Sequence, residues 1–191
     1  MGSLTIITGP MWSGKTTELL RQYDRKNHAG LKCLLVKHGI DNRYSQDSIV
    51  THINTYGLHT KGTAKIYSTI DHMIQHEQLV NNPNHINTVF IDEIQFFPDK
   101  HLCVDLLNVG IHVVVAGLNG DYHRTLFPGM ETLFAVASDI KMLTAVCGFC
   151  RSENACYTTR LVDNIHVGSI DVGGSDKYMA SCPRCYIERK K

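Results

Sequence analysis

The sequence has no excess of charge of either sign. Nineteen Lys and Arg stand against 18 Asp and Glu, a net charge of +1. That balance gives no electrostatic reason to expect nucleic acid as an obligate partner. No apolar run reaches membrane-spanning length, and no signal-peptide pattern opens the chain. There is no internal repeat and no low-complexity linker. The 11 histidines are scattered, and none forms the H-E-x-x-H pair of a zinc hydrolase. These absences set the expectation of an intracellular, cytoplasmic protein with no membrane partner. In such a compartment the seven cysteines read as metal ligands and core thiols, not as a disulfide framework. What is present is 191 residues with 43% apolar content, enough for one full domain with a real core and a small appendage.

The chain is organised around Gly9, Pro10, Met11, Trp12, Ser13, Gly14, Lys15 and Thr16. An apolar, β-prone run, residues 4–8, precedes them, and a helical pattern runs from Thr17 to about Ala29. Strand, glycine-rich loop and helix are the context that a phosphate-binding loop requires. Gly9 and Gly14 allow a tight turn whose successive N–H groups converge on one anion. The helix start adds its partial positive charge at the same point. Lys15 can reach the outer phosphates of ATP, and the Thr16 hydroxyl can ligate Mg²⁺.

Further apolar runs at residues 31–37, 86–93, 111–117 and 141–146 alternate with helical patterns at 68–80, 98–109 and 130–138. This predicts an α/β fold: a P-loop NTPase-type, mainly parallel sheet with helices on both faces. Ligands in such sheets bind at the carboxyl ends of the strands. The run 86–93 ends in Asp92 and Glu93, a metal-holding carboxylate and a second acid free for a different task. Asp41, Asn42 and Arg43 follow another strand and are either site residues or a solvated turn. Leu118 to Arg124 follows a third and suits a mobile loop over a site.

Two C-x-x-C pairs, Cys147/Cys150 and Cys182/Cys185, supply the four thiolates of a tetrahedral zinc site. A closed site of this kind has no open coordination position, so its role is structural. The single cysteines Cys33, Cys103 and Cys156 read as core thiols. Between the pairs, residues 155–161 and 177–181 read as paired strands joined by a polar loop. Residues 1–146 thus form an ATP-binding domain, and 147–191 a zinc-binding subdomain. A P-loop ATPase that grips nucleic acid with its zinc module, or a nucleotide-dependent switch, fits the same motifs. The first should show a basic stripe, and the second should lack a positioned base at Glu93.

Taken together, the phosphate loop with Thr17-Glu18-Leu19, Asp41-Asn42-Arg43-Tyr44, Ile91 to Phe97, Ala116 to Gly120, Leu143 to Cys147 and Gly173 to Tyr178 resemble the type II thymidine kinase family. The resemblance implies ATP-dependent phosphorylation of the 5′-hydroxyl of thymidine or deoxyuridine. It implies Glu93 as general base, Asp92 with Gln95 beside the Mg²⁺, and Asp41 and Arg43 near the phosphoryl group. Met11, Phe96, Leu118, Tyr122, Phe127 and Tyr178 would enclose the base. Ser169, Ile170, Asp171, Val172 and Gly173 match a lasso that covers it through main-chain hydrogen bonds. A homotetramer and feedback inhibition by dTTP are implied by likeness alone. Departures from the family pattern bear on nucleoside range: Asn119 in place of Asp, Ile94 in place of a small residue, Trp12 in place of Phe, and Thr51-His52-Ile53 in place of Thr-His-Asp.

Overall fold

A computed structural model describes residues 1–40, 64–152, 154–161, 173 and 176–189. Its six-stranded sheet has the order β3-β2-β4-β5-β1-β6. The strands are β1 (Leu4–Gly9), β2 (Cys33–His38), β3 (Lys65–Tyr67), β4 (Thr88–Asp92), β5 (His112–Leu118) and β6 (Asp139–Met142). β2 runs parallel to both β3 and β4, and β4 runs parallel to β5. Every residue of β4 is buried, as expected of a central strand with both faces covered. The helices are α1 (Lys15–His28), α2 (Ile70–His76), α3 (Cys103–Asn108) and α4 (Met130–Val136). A second, two-stranded antiparallel sheet pairs β7 (Tyr157–Arg160) with β8 (Tyr178–Ser181), followed by α5 (Pro183–Glu188). No helix among the described residues is long and apolar enough to cross a membrane.

The chain divides into two compact units. One comprises Met1–Thr8, Lys15–Gly117 and Pro128–Lys141, and the other Gly9–Gly14, Leu118–Phe127 and Met142–Lys191. In the first, α1 buries Leu19 and Leu20, and the Tyr23 ring meets Phe90 of β4 edge-on at 5.5 Å.

Three elements, and the burial of two cysteines, differ from the sequence pattern. The helix expected over 68–80 stops at His76 because Gln78 adopts a left-handed φ of 53°. Leu79 stays fully buried beyond the helix end. The helix expected from Pro98 begins as a 3₁₀ turn at Lys100–Leu102 before α3. Asp99, just before it, is engaged elsewhere: its carboxylate accepts the backbone N–H groups of Ile70 and Asp71, at 2.8 Å each, and so caps α2. The strand expected over 141–146 as part of the core is found instead as β6, Asp139–Met142, which is exposed throughout. It is the edge strand beside β1. Of the cysteines expected in the core, Cys103 is buried, whereas Cys33 and Cys156 are only half-buried.

The edge strand β3 is pinned to the end of α2 by Glu77. Its carboxylate accepts Lys65 Nζ at 2.7 and 2.9 Å, and also bonds the Tyr67 hydroxyl. Burial pushes this carboxyl up, but the hydrogen bonds from Lys65, Tyr67 and His76 outweigh it and hold it below the usual range. A carboxyl with a lowered folded pKa stabilises the fold above its unfolded value, about 4.3, and loses that contribution as the pH falls through the folded value. Urea unfolding between pH 7 and pH 3 is therefore expected to show wild type losing more stability below about pH 4.3 than Glu77→Gln. Parallel losses in the two proteins would contradict the assignment.

Candidate functional site

The phosphate loop turns out of β1 at Gly9. A Cβ there would stand 2.5 Å from the Leu143 carbonyl oxygen and 2.7 Å from Ser13 Oγ, so only glycine fits. Ser13 Oγ donates to the Pro10 carbonyl at 2.8 Å and braces the turn. The Met11 N–H donates to Thr158 Oγ1 of β7 at 3.2 Å, and the Asn119 N–H to the Gly9 carbonyl at 3.2 Å. Trp12 holds a left-handed φ of 66° and is 41% exposed. Non-glycine residues in that region cost about 1–2 kcal/mol, and such outliers concentrate at ligand sites.

At the other end of the loop, Lys15 and Thr16 open α1. Lys15 is buried to 9% exposure. Thr16 Oγ1 donates to both oxygens of Asp92, at 3.3 and 3.0 Å. Asp92, the last residue of β4, is only 4% exposed, and it also accepts the Glu93 N–H at 3.1 Å. A hydroxyl beside a buried carboxylate at the head of the phosphate loop is the oxygen donor set that Mg²⁺ takes in P-loop proteins.

The chain reverses immediately after Asp92. Glu93 takes a left-handed conformation, φ 53° and ψ 46°, and a 3₁₀ turn follows at Ile94–Phe96. Glu93 therefore lies beyond the end of the strand that carries Asp92. Gln95 Nε2 donates to Glu93 Oε2 at 2.5 Å. Phe96, from the same turn, lies 6.1 Å from the His38 ring, centroid to centroid.

Met11, Leu118, Tyr122, Phe127, Gly173 and Tyr178 belong to the second unit. The Tyr122 and Tyr178 rings are 6.4 Å apart. The Arg160 guanidinium lies over Tyr122 at 5.3 Å. The loop that carries Leu118, Tyr122 and Phe127 is fastened at several points. Asn119 Nδ2 donates to the Cys156 carbonyl at 2.9 Å, and the Tyr186 hydroxyl to the Tyr122 carbonyl at 2.7 Å. The Arg124 guanidinium stacks over Tyr186 at 4.8 Å. The Asn119 departure from the family pattern thus has a local account, since a carboxylate has no proton to give the Cys156 carbonyl. Asp41, Asn42, Arg43, Ser169, Ile170, Asp171 and Val172 lie outside the described residues.

Two contacts escaped the sequence reading. Thr158 sits in an ordinary β-hairpin pattern that singles out no position, yet its hydroxyl receives the phosphate-loop N–H. The Gln95–Glu93 bond depends on a left-handed residue that no propensity reveals.

Cys147, Cys150, Cys182 and Cys185 converge with all four sulfurs within 4.8 Å of one another. Cys150 and Cys182 Sγ are 3.6 Å apart. Zinc–sulfur bonds of about 2.3 Å in a tetrahedron place sulfurs about 3.8 Å apart, so the cluster fits zinc. Its surroundings are apolar: Ala145, Ala155 and Ala180, with Phe149 against them. The hydroxyl and N–H of Ser152 hold the Cys150 thiol down to about 6, while burial pushes Cys185 up to about 12. Four crowded thiols cannot all ionise together without a cation among them.

The sequence profile of the family described as "Thymidine kinase" matches residues 2–186. Thymidine kinase from fowlpox virus (strain NVSL) is 38% identical over 97% of this chain and 97% of its own length. Thymidine kinase 1 of Dictyostelium discoideum is 37% identical over 97% of this chain and 78% of its own length. The cytosolic thymidine kinase of Bos taurus is 35% identical over 98% and 73%.

Metal analysis of the protein is expected to return one zinc per chain. Cys182→Ser should lose it and lower Tm by roughly 10 °C, since removing a structural metal costs several kcal/mol. Zinc-free protein that melts like the wild type would contradict the structural role.

Proposed function

The chain belongs to the thymidine kinase family, and on that premise we propose how it phosphorylates thymidine. The reaction moves the γ-phosphoryl group of ATP to the 5′-hydroxyl, with deoxyuridine as a second acceptor. Gly9 through Thr16 cradle the ATP phosphates, and Lys15 carries charge toward the outer ones. Thr16 and Asp92 hold Mg²⁺, which neutralises charge on the phosphates when bound. Glu93 accepts the hydroxyl proton as the oxygen attacks phosphorus. Asp41, Asn42 and Arg43 are assigned to the phosphoryl group and Gln95 to the neighbourhood of Asp92. Met11, Leu118, Tyr122, Phe127 and Tyr178, with Phe96, are assigned to the base, and Ser169 through Gly173 to its main-chain recognition.

The single observation that carries this reading is the Thr16–Asp92 hydrogen bond with Glu93 next in the chain. It supports Thr16 and Asp92 as a metal donor pair, with a second carboxylate one residue away. A nucleic-acid motor has no support of comparable kind, and the matched family leaves it aside. Further parts of the proposal rest on the family pattern: cytoplasmic location, a homotetramer, inhibition by dTTP, and a functional division into 1–146 and 147–191.

Glu93→Gln is expected to keep Mg²⁺-ATP affinity within about threefold and to lose roughly 10²–10⁴-fold in kcat, the usual worth of a general base. A variant within tenfold of wild type would remove Glu93 from that role.

A further inference from the structure

The Glu93 carboxylate is held by a side chain that itself occupies space left by a missing one. Gln95 is 3% exposed, and its Nε2 donates to Glu93 Oε2 at 2.5 Å. The other end of the same amide lies over Gly117 at the end of β5. A Cβ at Gly117 would stand 2.8 Å from Gln95 Oε1 and 2.7 Å from Ile94 Cγ2. Both distances are shorter than nonbonded carbon contacts allow. The neighbours have little room to yield, because Ile94 is fully buried and Gln95 nearly so.

Sheet topology explains why Gly117 is in this position. β5 lies between β1 and β4, and Ile91 pairs with Val115. Carrying that register two residues further brings Gly117 level with Glu93, where β4 has already turned left-handed. The 3₁₀ turn then folds Ile94 and Gln95 onto the β5 end.

We propose that Gln95 and Gly117 are positioning residues for the Glu93 carboxylate. Gln95 fixes it through Oε2, and the bare Cα of Gly117 makes the room in which the Gln95 amide can do so. This rests on Glu93 as the base. A base must lie within hydrogen-bond reach of the hydroxyl it deprotonates, and small displacements of a reacting group carry large rate costs.

The test compares Gly117→Ala, Gln95→Leu and the double variant in steady-state kinetics, with Glu93→Gln alongside. Each single variant is expected to lose about tenfold or more in kcat, with KM for thymidine and for Mg²⁺-ATP within about twofold. The double variant is expected to resemble either single one, because both remove the same constraint. Losses that multiply, or that appear in KM for Mg²⁺-ATP, would overturn the proposal and return Gln95 to a nucleotide-holding role. If Gly117→Ala does not fold, Gln95→Leu decides alone: undiminished kcat overturns the proposal. Glu93→Gln separates the two claims. An active Glu93→Gln sinks the base itself, whereas an inactive one beside fully active Gln95 and Gly117 variants sinks only the positioning.

Discussion

A hydroxyl and a carboxylate 76 residues apart meet at the head of α1, and the proposed site depends on their meeting. Asp92 is nearly buried, and a buried carboxylate is costly unless hydrogen-bonded. It is accommodated by the Thr16 hydroxyl and the Glu93 N–H. The first donor exists because α1 begins at Lys15. The second exists because β4 stops at Asp92 and the next residue turns left-handed. Fully buried Val89, Phe90 and Ile91 fix where the strand ends, so core packing sets the positions of Asp92, proposed to hold the metal, and of Glu93, proposed as the base.

In the second unit the four thiols, the β7–β8 hairpin, the loop 118–127 and residues Gly9–Gly14 of the phosphate loop form one connected body. The links are specific: Met11 N–H to Thr158, Asn119 N–H to Gly9, and the Asn119 amide to Cys156. Cys147 and Cys182 lie in the same buried cluster as Ala155 and Ala180 of the hairpin region. A closed metal site can therefore matter to a phosphate-binding loop without touching substrate, by holding the strand whose hydroxyl receives that loop's N–H.

Much of this was legible in the residues alone. Glycine spacing placed the phosphate loop, the apolar run ending in Asp92-Glu93 placed β4, and cysteine spacing placed the metal cluster. Each of these signals is local in the chain. What stayed hidden depends on register between distant strands. Gly117 reads as one more strand glycine until β5 is seen beside β4, and the Thr158 hydroxyl has no pattern of its own. Asn119 was visible as a departure from the family, but its reason, a proton for the Cys156 carbonyl, needed the fold. The run 141–146 read as a core strand because Met142, Leu143, Ala145 and Val146 are apolar, and composition does not say that a strand lies at an edge.

The most direct measurement is the initial rate of ADP release from Mg²⁺-ATP with thymidine, deoxyuridine, deoxycytidine and purine deoxynucleosides added one at a time, and with DNA added separately. Release that requires thymidine or deoxyuridine, with the phosphate recovered on the 5′-oxygen, is the expected result. Release driven by DNA alone, or none with any nucleoside, would contradict the assignment of this site to thymidine phosphorylation.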